Sequence, residues 1–167
     1  MISGFLKKLL FARQFSMING KIEVLGKRHI MLPSDLLFTL QQSSSDTYSF
    51  SKKRGFENMK YLGGKLGASQ EGMLNNIKNI YETFGLGILE LVDLKNKEKQ
   101  AAVIIRDSPL AKESPRLKDK TSCLLISGIL AGMFTYFFGT DVDAKEKRCF
   151  SSGATYCEFV VKKGGIK

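Results

Sequence analysis

The chain has 167 residues, 43% of them hydrophobic, no Trp, three Cys and a formal net charge of +10. That length fits one domain with a real core, so neither disulfides nor metal is needed merely to collapse it. Residues 1–100 carry 15 basic and 9 acidic side chains and residues 101–167 carry 11 and 7, a spread excess with no basic arm or tail. Such a balance supports solubility and loose attraction to anions, and no specific nucleic-acid partner is expected.

Taken in chain order, Ile2, Phe5, Leu6, Leu9 and Leu10 recur at helical spacing and predict a short amphipathic helix over 2–11. We read 1–11 as an N-terminal amphipathic extension and 12–167 as a single domain. Lys7 and Lys8 interrupt the apolar run, unlike the basic start and unbroken core of a signal peptide. They are also too few to read as an anionic-lipid patch, so packing on the domain or on a second subunit is the favoured role. Asn19-Gly20 between two β-prone runs, Phe11–Ile18 and Lys21–Leu25, predicts a tight hairpin. Pro33-Ser34-Asp35 opens a helix over Leu36–Gln42, which ends in the polar run Gln41–Asp46.

Helices follow over Phe50–Leu66 and Gln70–Phe84, the second with Ser69 as its N-cap and Gly85 and Gly87 as its stop. Gly63 and Gly67, four apart, give the first a smooth face. Strands Ile88–Asp93 and Ala101–Asp107 are joined by the charged turn Lys95–Lys99, and Ser108–Lys120 reads as a loop. The apolar run Cys123–Phe138 is 16 residues long. A membrane-spanning helix needs about 20, so a buried helix is expected and no membrane span. Gly139 ends it. Strands Val142–Cys149 and Cys157–Lys162 close the chain around the loop Phe150–Tyr156.

All three cysteines lie in the last 45 residues. An odd number, with no secretory signal, points to a reducing, cytoplasmic setting and to thiols used as ligands. Cys149 and Cys157 flank a seven-residue loop, so the two sulfurs face one another if the strands pair. Cys123 opens a helix, where the dipole favours a thiolate. Thiolates crowded together repel unless a cation sits between them, and zinc suits soft ligands. Glu146 is the best-placed fourth ligand. It lies three residues before Cys149 and would point to the opposite face of a regular strand, so a bulge near Lys147 is expected. His29, the single histidine, is the rival. Lys145, Lys147 and Arg148 are expected to offset part of the site's charge. Three ordinary buried cysteines remain the plain alternative.

The spacing Cys123-x22-Glu146-x2-Cys149-x7-Cys157 resembles the 4-vinyl reductase domain family. The flanking "LLISGILAGMFTYFFG", "EKRC" and "GATYCEFVV" are similar to that family's glycine-rich helix and closing hairpin. The resemblance covers most of 15–163 and is sharpest over 123–160. It implies an α+β fold, antiparallel strands with a helical layer, like the vesicle-tethering transport-particle subunits. It implies one structural zinc on Cys123, Glu146, Cys149 and Cys157, beside a pocket for a small hydrophobic molecule. The same domain serves as the effector-sensing part of phenol- and xylene-responsive regulators, so a regulatory output here implies a separate partner.

Little favours catalysis. Gly85-Leu86-Gly87 lacks the rest of a dinucleotide fingerprint, Gly64-Lys65 is followed by Leu66 rather than Ser or Thr, and one histidine gives little basis for a His-dependent triad. Four protein ligands would leave zinc no open position for water. No catalytic residue is assigned. For the ligand pocket the candidates are Gly128, Gly132, Met133, Tyr136 and Phe137, with Tyr81 and Phe84. The two glycines leave either room for a ligand or a close helix contact. The reading is a zinc-stabilised domain that senses or carries an apolar or aromatic small molecule and pairs with itself. The alternatives are a reductase acting on a tetrapyrrole vinyl group and a non-catalytic scaffold.

Overall fold

Asn19 and Gly20 both take positive φ, 51° and 71°, the geometry of a two-residue turn between twisted strands. The hairpin they make is the core of the first of two compact units, Met1–Pro33 and Ser34–Lys167. The structure, a computed structural model, describes residues 2–66, 69–114 and 123–164. In the first unit helix α1 (Gly4–Phe11), capped by the Ser3 side chain, precedes β1 (Phe15–Ile18), β2 (Lys21–Val24) and β3 (Lys27–His29). These strands form an antiparallel sheet in that order. The third strand was not expected. Its turn, Leu25-Gly26, places Leu25 at φ 53°, a left-handed conformation that a leucine does not advertise.

The second unit begins with α2 (Ser34–Gln42), α3 (Thr47–Leu66) and α4 (Gln70–Thr83). The Ser69 side chain accepts from Gly72 N–H, the expected N-cap of α4. Helix α3 starts at Thr47, three residues before the expected Phe50, because the buried Thr47 hydroxyl is anchored on the Gln41 and Ser44 carbonyls. Gly67, the second of the expected smooth-face pair, lies outside the described residues.

Strands β4 (Ile88–Lys95), β5 (Gln100–Arg106), β6 (Asp143–Arg148) and β7 (Cys157–Lys162) make an antiparallel sheet ordered β4-β5-β7-β6. The segment after β5 is not all loop. Ser108 accepts from Ala111 N–H and Pro109 fills the first helical position, giving α5 (Pro109–Glu113) with Leu110 and Ala111 buried. Positions 115–122 lie outside the described residues.

Helix α6 (Leu124–Phe138) is the apolar run predicted as a buried helix. It packs against β6 and β7, and α3 lies along it. Gly128 and Gly132 make that approach possible. A Cβ at Gly128 would collide with Ser51 Oγ, and one at Gly132 with the Lys52 carbonyl. Of the two alternatives for these glycines, close helix contact is the one observed. Their open faces meet α3 backbone, so they create no room for a ligand there.

The core gathers Met59, Ile77, Tyr81, Val103, Ile105, Leu130, Phe134 and Phe159, all at most 1% exposed. Fully burying a side chain of this kind contributes about 1.5–3 kcal/mol. Among the described residues no helix is long and apolar enough to cross a membrane.

Candidate metal centre

Helix α6, strand β6 and the β6–β7 connection meet at one end of the second unit, and each delivers potential ligands there. Cys123 sits at the N-cap of α6, Glu146 on β6, Cys149 just past it, and Cys157 at the start of β7. One ligand atom from each of the four lies within 4.8 Å of the others, and all four residues are buried.

The strand reaches this arrangement through a bulge. β6 pairs with β7 in register from Asp143 to Glu146, and the register shifts between Glu146 and Arg148. Lys147 is the extra residue. It turns the strand so that Glu146 and Cys149, three apart, converge on the same point, as the sequence required. The cysteines are then held by a tight connection. Cys149 leads into a 3-10 turn over Phe150–Ser152, and its carbonyl accepts from Ser152 N–H, Ala154 N–H and the Ser152 hydroxyl. Gly153, at φ 96°, reverses the chain toward Cys157.

The sulfurs of Cys123 and Cys149 are 3.9 Å apart, and those of Cys149 and Cys157 3.7 Å. Glu146 Oε2 accepts from the Cys123 backbone N–H at 3.2 Å. With no cation among them, these groups hold their protons. Hydrogen bonds to Cys149 and Cys157, then burial and the nearby Glu146 charge, push the Cys123 thiol far up. A hydrogen bond with Cys123 works the other way at Cys157, yet Cys149 and burial raise that thiol to about 12. Burial first, then Cys149, raises the Glu146 carboxyl to about 7. A divalent ion reverses this balance, because it stabilises each deprotonated ligand directly. The donor set of three thiols and a carboxyl is therefore one that could hold a metal ion.

His29, the rival ligand, is absent from this group; it lies on β3 opposite Ile22. The basic neighbours are placed otherwise than expected. Lys145 and Arg148 project from the face opposite Glu146, and Arg148 Nε pairs with Glu158 at 3.3 Å. Two supporting residues escaped the sequence reading. Ser151 Oγ donates to Cys149 Sγ at 3.1 Å, and the buried Gln41 accepts from Leu125 N–H in the first turn of α6. A hydroxyl two residues after a ligand cysteine is a usable signal for Ser151. Nothing local marks Gln41, which comes from 84 residues away.

Of the pocket candidates, Tyr81, Met133 and Phe137 are buried in the core, Tyr136 is half-buried with its ring edge on Phe56, and Phe84 is 40% exposed. The Tyr81 hydroxyl is buried and has no hydrogen-bond partner among the described residues. Burial pushes its ionisation far above the ordinary range, so the group stays a neutral phenol.

The family profile of the vinyl-4-reductase domain matches residues 102–163, the segment that holds all but the first strand of the sheet, α6 and the four clustered residues. An uncharacterized protein of Methanocaldococcus jannaschii is 29% identical over 93 residues, 56% of this chain. The chain spans about half (52%) of that relative's length. Among solved structures, the phenol-responsive sensory domain of the transcription activator PoxR, determined with phenol, superposes with a TM-score of 0.71 at 19% identity. That match covers 96% of this chain and 91% of that one. A vinyl-4-reductase family protein from Methanocaldococcus jannaschii gives 0.56 at 22% identity, over 99% and 98%. Trafficking protein particle complex subunit 3 from Naegleria fowleri, covalently bound to palmitic acid, gives 0.52 at 16% identity, over 80% and 97%. The chain thus resembles the 4-vinyl reductase domain family, matching its domain profile over residues 102–163 and sharing the α+β fold of these three structures.

Proposed function

We propose that this chain is a zinc-stabilised domain that binds or senses a small apolar or aromatic molecule. The observation that carries the zinc assignment is the spacing of the sulfurs. Zn–S bonds of about 2.3 Å in a tetrahedron place neighbouring sulfurs about 3.8 Å apart. The two observed separations are 3.9 and 3.7 Å. Cys123, Glu146, Cys149 and Cys157 would fill all four positions, leaving none for a reactive water, so the metal's work here is structural. It fastens the start of α6 to the closing hairpin.

For the ligand, the support is the Tyr81 hydroxyl together with the fold likeness to a phenol-responsive domain. A buried phenol without a partner is costly, and the polar atom of a bound molecule would relieve it. Tyr81, Met133 and Phe137, with Tyr136 and Phe84 toward the surface, are the residues we assign to this site. Gly128 and Gly132 serve it only by letting α3 close over α6. We read the protein as a cytoplasmic homodimer that passes its signal to a separate regulatory partner.

Native mass spectrometry of the protein tests both parts, by weighing metal and ligand before and after mild denaturation. One zinc per chain and an added mass lost on denaturation are expected. A protein with neither, showing no thermal shift with any apolar compound, would be a scaffold.

A further inference from the structure

The three-stranded sheet of the first unit ends in an exposed apolar tip. Ile18 pairs with Lys21 across the β1–β2 turn, and the β2–β3 ladder, with Ile22 opposite His29, brings Ile30 next to Lys21 one step further on. Met17, Ile18, Ile30 and Met31 are 57%, 64%, 77% and 76% exposed. Large aliphatic side chains gathered this way at one edge mark a contact site.

The charge of the same unit is lopsided. Residues 1–33 carry Lys7, Lys8, Arg13, Lys21, Lys27 and Arg28 against Glu23 alone, so 6 − 1 leaves +5. The other 134 residues carry 20 basic and 15 acidic side chains, also +5. Half of the net charge thus sits in a fifth of the chain, beside the exposed aliphatic tip.

We propose that this end of the first unit docks on an anionic lipid bilayer. Met17, Ile18, Ile30 and Met31 enter the boundary between headgroups and acyl chains, and Lys21 with the neighbouring cations meets the lipid phosphates. A second copy of the chain fits less well, because a two-fold contact through this surface sets +5 against +5. Nucleic acid also fits less well, since bases stack on aromatic rings and this tip is aliphatic. An anionic bilayer alone satisfies both the charge and the apolar area.

The test is co-sedimentation of the full chain with vesicles of phosphatidylglycerol and phosphatidylcholine, and with phosphatidylcholine alone, at low and high salt. Binding to the anionic vesicles, weakened by salt and absent with phosphatidylcholine alone, is expected. Ile18→Asp with Ile30→Asp should abolish it at unchanged melting temperature, and Lys21→Gln should weaken it about fivefold. Because the chain has no Trp, Ile18→Trp gives a single indole whose emission should shift to the blue on anionic vesicles. Val92→Trp, on β4, should not shift. The indole reading decides the matter if the double variant fails to fold. No binding at low salt, equal binding to uncharged vesicles, or no indole shift would overturn the proposal. So would a double variant that binds like wild type, or one that changes only self-association in sedimentation velocity. Zinc content is expected to be untouched throughout, so a failure here leaves the metal reading standing.

Discussion

The Cys123 backbone N–H donates to Glu146 Oε2 at 3.2 Å, joining the first turn of α6 to strand β6 across 23 residues. One carboxylate thereby caps a helix that has no side-chain cap of its own and stands as the fourth group of the cysteine cluster. Replacing it removes both roles. Glu146→Ala should lower zinc retention under a competing chelator and melt several degrees below wild type. Glu146→Gln, which keeps an acceptor oxygen, should fall between them. Equal retention in Glu146→Ala and wild type would remove Glu146 from the ligand set.

Metal removal should be felt across the fold. Metal-replete protein is expected to hold one zinc per chain by elemental analysis, with Cys149→Ser and Cys157→Ser losing most of it, because those residues clamp the hairpin. Binding free energy at structural zinc sites feeds into folding, with apparent values of about 10–16 kcal/mol in zinc-finger peptides. This chain has its own core, so chelation should lower the melting temperature without unfolding the protein at room temperature. Well under half an equivalent of zinc would reject the assignment.

Tyr81→Phe separates the ligand reading from plain core packing. Deleting a buried hydroxyl with no partner should stabilise the ligand-free protein by about 1 kcal/mol, read as a higher melting temperature. The same change should shrink the thermal shift produced by a hydroxylated aromatic compound. A bound compound at about 100 times its Kd adds roughly 2.7 kcal/mol, so the loss is measurable. A destabilised Tyr81→Phe would mean that the hydroxyl already has a partner in solution.

The α3–α6 contact predicts strong sensitivity at its glycines. Gly132→Leu places a side chain into the Lys52 carbonyl and the Phe56 N–H, backbone that cannot move aside. Overpacking of this kind costs typically 1–3 kcal/mol and here should exceed that range, so soluble protein with a native melting transition is not expected. Gly128→Ala should show a smaller loss, measured by denaturant midpoint.

A fourth contact ties pH to stability. Asp143, at the start of β6, accepts from Lys52 Nζ at 2.7 Å and from the Tyr48 hydroxyl at 3.0 Å, and that hydroxyl in turn accepts from Ala144 N–H. Burial opposes its ionised form, but these donors and the Lys52 charge outweigh burial and hold the carboxyl below its ordinary value. A carboxyl depressed by folding adds stability above its unfolded value, and that stability is lost as pH falls through the folded one. Asp143→Asn should therefore be less stable than wild type at neutral pH, by about 1 kcal/mol. The gap should close on acidification below pH about 4. Melts across that range are the measurement, and a constant gap would rule the ion pair out as its source.

Much of this was legible in the sequence because the signals were local. The Asn19-Gly20 turn, the Ser69 cap and the 16-residue apolar run each carry their instruction within a few residues. The Lys147 bulge was legible indirectly, since Glu146 and Cys149 reach one point only if the strand gains a residue between them. What stayed hidden depends on distant partners. Nothing near Gly128 or Gly132 says that Ser51 and Lys52, some 80 residues earlier in the chain, fill the space beside them. Nor does a sequence show that Lys145 and Arg148 project away from the cluster, because the bulge sets which face each occupies. Splitting the chain at residue 100 also concealed the basic excess of the first 33, which becomes visible only at the unit boundary.

The bulge at Lys147 reaches beyond metal binding. β6 and β4 are the two outer strands of the four-stranded sheet, and each is interrupted, β6 between Glu146 and Arg148 and β4 between Leu91 and Asp93. An uninterrupted outer strand offers a row of free amides and carbonyls on which a foreign strand can template. Here both rows are broken partway, and the β6 row is also lined by Lys145, Lys147 and Arg148. The kink that aims Glu146 at its cysteines thus also guards the sheet against growing, edge to edge, into an aggregate.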